Sequence, residues 1–116
     1  MTPSDPRWGF VFERDKGFCE YCNLDLLQDF THYYFAEVDH LLPNGDPRRE
    51  DTQYMALACR ACNSRLSAAH RQGLFTVEAR KAYLAQTEEH SLVKAMYDQR
   101  VSKLRATEPT DTYESE

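Results

Sequence analysis

Two pairs of cysteines constrain this chain more than any other feature. They are Cys19-Glu-Tyr-Cys22 and Cys59-Arg-Ala-Cys62, and the 116 residues hold no other cysteine. A C-x2-C pair sets two thiolates on one tight turn, and two such knuckles supply the four soft donors of a tetrahedral structural zinc site. Two disulfides or a redox C-x-x-C would use the same residues. The opening Met1-Thr-Pro-Ser-Asp-Pro-Arg-Trp has neither a basic nor an apolar leader segment, so an oxidising compartment is not indicated and a cytoplasmic location is expected. A redox motif has no need of a second copy. Zn²⁺ held by Cys19, Cys22, Cys59 and Cys62 is therefore the expectation. Residues 23–58 separate the knuckles, a longer gap than the usual ~15–20, so something is inserted between the halves of the site.

A staple matters at this length, because a short chain buries a modest share of its surface. Hydrophobic residues make up 41% and charged residues 28%, which excludes a wholly disordered chain and a coiled-coil rod. No apolar run approaches the ~18 residues of a membrane span. The net charge of −5 is concentrated at the end: residues 106–116 carry Glu108, Asp111, Glu114 and Glu116 and no base, leaving 14 basic residues against 15 acidic ones elsewhere. That balance argues against a general nucleic-acid coat but leaves room for a local basic patch.

Asp5-Pro6 reads as an N-cap with proline in the first turn, and Trp8, Val11 and Phe12 recur at helical spacing, so a helix is expected over about 6–15. His32 to His40 is rich in aromatic and β-branched types and reads as a strand, with Tyr33, Tyr34 and Phe35 as core residues. Pro43 to Asp51 is dense in turn formers and charge, an exposed loop. Arg60 to Arg71 reads as a helix ended by Gly73. Thr76 caps a further helix, and Ser91 a last one carrying Leu92, Val93, Met96, Tyr97, Val101 and Leu104.

The stretch between the knuckles contains Val38-Asp39-His40-Leu41-Leu42-Pro43, and Asn63 follows the last cysteine directly. Oxygen donors such as Asp39 and the Asn63 carbonyl suit Mg²⁺ or Mn²⁺ rather than zinc. A histidine beside them can accept a proton from water near neutral pH. These are the parts of metal-assisted phosphodiester hydrolysis. Neighbours in a regular strand face opposite sides, so Asp39 and His40 share a site only where the pleat breaks or where the ion and the water lie across the strand's end. His32 and His70 read as surface or packing residues.

Taken in order, Glu13 to Cys22, Val38 to Pro43 and Leu57 to Asn63 resemble an HNH endonuclease of the zinc-stapled type. The resemblance implies an α+β fold: a small ββα-metal (treble-clef-like) core with a four-cysteine zinc site, flanked by an N-terminal helix and C-terminal helices. The expected organisation is one domain over 1–105, with its core at about 12–72, and an acidic disordered tail over 106–116. By matching positions, His40 is the general base, and Asp39 and Asn63 hold the catalytic Mg²⁺ or Mn²⁺. The implied activity is metal-dependent hydrolysis of DNA, with RNA as the other candidate substrate, leaving 5′-phosphate and 3′-hydroxyl ends. A homodimer would supply the two sites that a double-strand cut needs.

Two positions depart from the family pattern. Tyr54 stands where the family has its middle asparagine, and one hydroxyl cannot replace both ends of an amide. Leu66 stands where a lysine is common. Between Arg60 and Lys81 the chain carries Arg60, Arg65, Arg71, Arg80 and Lys81 against Glu78 alone, and Arg48 and Arg49 lie in the loop after the Asp-His pair. Arg48, Arg49, Arg60 and Arg65 are the candidate phosphate contacts. Tyr54 and Leu66 favour the alternative function, a non-catalytic zinc-stapled module that binds nucleic acid or protein.

Overall fold

The computed structural model describes residues 1–86 and 88–105, without the side chains of 88–90; the tail expected over 106–116 lies outside them. The chain divides into two units, Met1–Ala85 and the segment from Gln86 onward.

The first unit is α+β. It opens with helix α1, Pro6–Arg14, where the Asp5 side chain accepts from the Arg7 N–H and Pro6 fills the first turn. Both features answer the unpaired donors of a helix start. Trp8, Val11 and Phe12 form its buried stripe. Trp8 stacks on Phe12 with ring centres 5.0 Å apart, and Tyr33 meets both edge-on. The chain leaves α1 through two left-handed residues, Lys16 and Gly17. A side chain at Gly17 would meet Leu27 Cδ1 at 3.0 Å, so both the backbone angle and the space call for glycine there.

The expected strand over 32–40 is shorter than its composition suggests. Phe30–Tyr34 is a short helix, α2, because Asp29 caps it by accepting from the His32 N–H at 2.8 Å. A local cap outweighs the weak strand preference of aromatic residues. Tyr33 packs on the core, but Tyr34 and Phe35 are exposed, against the expectation for them.

Strand β1, Glu37–His40, pairs antiparallel with β2, Met55–Ala58, in the register Val38↔Leu57 and His40↔Met55. Every residue of β2 is buried. Its far edge is closed by polar groups from elsewhere. The Leu57 N–H donates to Asp15 Oδ2 at 2.9 Å, and the Leu57 carbonyl accepts from the Glu20 N–H at 2.9 Å. Arg14 donates to the carbonyls of Thr52 and Met55 and forks onto Asp15. Asp15→Ala is therefore expected to strip Leu57 of its acceptor and cost about 1–3 kcal/mol, read as a lower urea midpoint at unchanged slope.

Helix α3 spans Arg60–Arg65, not the longer helix expected to Arg71. Beyond it the chain proceeds by turns, with Ser67 N–H to Ser64 O at 3.3 Å and Ala69 N–H to Leu66 O at 2.9 Å. These turns bury Leu66 and Ala69. Helix α4, Val77–Gln86, begins after Thr76, whose Oγ1 accepts from the Ala79 N–H. The second unit contains helix α5, Glu88–Arg105. Ser91 lies inside it rather than at its cap, and the Leu92–Leu104 stripe is exposed along α5. Among the described residues no helix is long and apolar enough to cross a membrane.

Candidate active site and metal centre

The two knuckles meet. One follows α1; the other joins β2 to α3. In the first, the Tyr21 N–H approaches Cys19 Sγ at 3.4 Å, and Asn23 takes a left-handed angle to close the turn. In the second, Cys59 is the N-cap of α3, its Sγ facing the Cys62 N–H at 3.4 Å. All four Sγ atoms lie within 4.8 Å of one another, the one group of three or more such ligands among the described residues. Cys22 Sγ and Cys59 Sγ are 3.7 Å apart. Two sulfurs on a tetrahedral zinc, each at about 2.3 Å, stand about 3.8 Å apart, so the donors and their spacing fit that ion. Crowding the thiols splits their acidities. Hydrogen bonds from Cys59 and Cys62 pull Cys19 down. The same contacts with Cys19 push Cys59 up to about 11 and raise Cys62. A bound dication reverses this, so metal uptake releases protons.

The inserted segment, residues 23–58, contains both strands, and its chemistry falls on two faces of β1. His40 occupies one. Its side chain is 18% exposed, and its Nε2 is buried without a hydrogen-bond partner. Glu50 Oε1 stands 3.8 Å away, too far for a hydrogen bond. Burial depresses the His40 pKa most, nearby Arg49 and Arg7 add to this, and Glu50 and Asp39 oppose it. The balance favours the neutral ring, with the Glu50 carboxylate as the facing group of Nε2. Arg7 is fixed between Asp5 and Glu50. Arg49 donates Nε to Asn44 Oδ1 at 3.0 Å, while its Nη1 is buried and unpartnered. The backbone at His40 is held as well. Its carbonyl meets His70 Nε2 at 2.9 Å, and the next N–H, from Leu41, donates to the Tyr54 carbonyl at 2.9 Å. Tyr54 itself lies beneath Arg48, whose guanidinium carbon is 5.1 Å from the ring centre.

Asp39 points the other way. It is buried at 7% exposure and accepts from the Tyr21 hydroxyl and from Arg80 Nη1 on the same oxygen, Oδ2. Asn63 does not join it: its amide donates to Glu37 Oε1. Glu37 shares the Asp39 face of β1 and has Arg60 at 3.9 Å. The structure thus sets His40 apart from both Asp39 and Asn63. As placed, these two residues do not form the oxygen cage that a hard divalent cation needs.

The candidate phosphate contacts are dispersed. Arg48 is paired with Asp46 at 3.0 Å. Arg60 stacks on Phe35, 5.2 Å from the ring centre. Arg65 donates to the Leu84 carbonyl. Arg49 is the one with an unpartnered, buried nitrogen beside His40. The contributions of Arg7, Glu50, His70, Arg80 and Tyr21 were not expected from the sequence. For Tyr21 a signal existed, a hydroxyl inside a metal knuckle; for the others the chain offers no local mark.

The HNH endonuclease family model matches residues 19–69, from the first zinc-knuckle cysteine to just beyond the second knuckle. Residues 19–69, under half of the chain, thus carry an HNH endonuclease match. No curated protein matches the chain. The HNH stretch contains all four cysteines, Asp39, His40, Tyr54 and Asn63. It leaves out α1 with Arg7, and also His70 and α4 with Arg80, so residues outside the HNH match complete the surroundings of both faces.

Proposed function

We propose that this HNH domain hydrolyses phosphodiester bonds of nucleic acid, DNA being the expected substrate, with His40 as general base. The observation that supports this reading is His40 itself: its Nε2 has no hydrogen-bond partner, and burial with nearby Arg49 lowers its pKa. His40 would take the proton of a water as that oxygen forms the new bond to phosphorus; Nε2 is shut from solvent as it stands, so substrate binding would have to open it. The P–O3′ bond then breaks and the leaving oxygen takes its proton from solvent. Arg49, whose Nη1 has no partner, would meet the negative charge that develops on the phosphoryl oxygens. Zn²⁺, held by Cys19, Cys22, Cys59 and Cys62, would supply structure rather than chemistry, because four thiolates leave it no open position.

Nicking of supercoiled plasmid by zinc-loaded protein in Mg²⁺- and Mn²⁺-containing buffers tests this reading. His40→Ala is expected to lower the rate about 10²–10⁴-fold. The pH profile carries a second signature. With its folded pKa below the ordinary imidazole value, His40 stays unprotonated as pH falls through about 6.5, and the acid limb of the rate lies below that. The same shift has a stability sign. The unfolded chain binds the proton more readily, so this contribution is complete above the unfolded value and is lost as pH falls through the lowered folded one.

A second reading, a zinc-stapled module that binds nucleic acid without cutting it, is favoured by Tyr54 in the asparagine position and by the engaged state of Asp39 and Asn63. Retained oligonucleotide binding by folded wild-type protein that leaves plasmid intact would establish it.

A further inference from the structure

The carboxylate that the HNH pattern assigns to a divalent ion already has a cation. We infer that Arg80 is the permanent counter-ion of Asp39, and that Asp39 takes no Mg²⁺ or Mn²⁺ in this protein. The guanidinium is 1% exposed. It spends its donors on four acceptors: Nη1 on Asp39 Oδ2, Nε on the Leu74 carbonyl at 2.7 Å, and Nη2 on the Leu41 and His40 carbonyls at 3.2 and 3.4 Å. The Tyr21 hydroxyl adds a second donor to Oδ2.

Three consequences follow. An arginine cannot vacate the site by losing a proton, so a metal ion could enter only if the whole side chain withdrew with its charge. Withdrawal would leave the carbonyls of Leu74 and Leu41 without the donor they have, in a buried setting where that is costly. The entering ion would also need several oxygen ligands, whereas Asn63 is committed to Glu37, and Glu37 faces Arg60. Both carboxylates on this face of β1 are thus matched by an arginine, and the one on Asp39 comes from α4, outside the stretch that matches the family.

The inference concerns where a divalent ion binds and does not depend on cleavage, so it stands or falls apart from the nuclease reading. Zinc-loaded full-length protein is titrated with Mn²⁺, free ion is followed by electron paramagnetic resonance, and amide signals are followed by NMR. Wild type and Asp39→Asn are expected to bind Mn²⁺ equally and weakly, with line broadening confined to exposed carboxylates. A one-to-one site in the wild type that Asp39→Asn weakens about tenfold or more would overturn the inference. Should the variant fail to fold, the wild-type spectrum decides alone. Loss of the Val38 to His40 amide signals at stoichiometric Mn²⁺ overturns the inference, and their survival supports it.

Discussion

Stripping the metal from the four-cysteine site is expected to abolish cooperative folding of residues 1–85. The two knuckles sit at the joints that define the core: Cys19 and Cys22 follow the α1 exit, and Cys59 and Cys62 link β2 to α3. The sheet they anchor has two strands of four residues each, and a two-stranded pairing is marginal without further support. Structural zinc contributes about 10–16 kcal/mol in small zinc-finger peptides, which matches or exceeds the whole stability of a typical domain, about 5–15 kcal/mol. Chelator titration followed by far-UV circular dichroism and a zinc-release dye should show signal loss in step with metal loss. Cys62→Ser should reproduce it in the presence of zinc. Because the thiols must lose their protons to hold the metal, the chelator concentration needed should fall as pH falls. An unchanged melting transition after complete metal release would mean that the α1–β2 clamp of Arg14 and Asp15 holds the fold alone.

The parts of the architecture that could be read from the sequence are those fixed over short distances. The cysteine spacing foretold a metal site because a knuckle is a local turn. The α1 boundaries followed from Asp5, Pro6 and a three-residue apolar rhythm, all within two turns. His32–Tyr34 departs from the expected strand for the converse reason: composition over nine positions favours a strand, while one Asp29 cap decides the conformation. The α3 boundary failed similarly, because the turns after Arg65 are set by burying Leu66 and Ala69 rather than by anything in their own propensity. At the site, strand alternation already warned that Asp39 and His40 could not share a face. What the sequence could not supply was the occupant of the Asp39 face. Arg80 is forty-one residues away along the chain, on a helix with no motif of its own, and it read there as one more member of a basic run. On the His40 side, Arg7 and its partner Glu50 lie 43 residues apart in sequence. Such partners are chosen by tertiary packing, and a linear pattern holds no record of them.

Arg80→Met is the variant expected to damage the metal-loaded fold most. It leaves the Asp39 carboxylate buried with only the Tyr21 hydroxyl, and breaking one side of a buried ion pair costs about 3–5 kcal/mol. Asp39→Asn makes the reciprocal error, a buried guanidinium facing a neutral amide. The double variant removes both charges, so its loss should be less than the sum of the two, with a coupling of about 0.5–3 kcal/mol. Urea unfolding of the zinc-loaded proteins gives all three numbers. Salt separates this pair from the surface ones. Arg48–Asp46, with Arg48 58% exposed, should contribute about 0–1 kcal/mol and fade at high ionic strength. The Arg80–Asp39 coupling should persist there, since both partners are buried. Strictly additive losses would mean that Arg80 is held by the carbonyls of Leu74 and Leu41 alone, and would free Asp39 for another cation. A salt-resistant coupling would make α4 an integral part of the HNH core, pinned to β1 by the charge that the family pattern assigns to a metal ion.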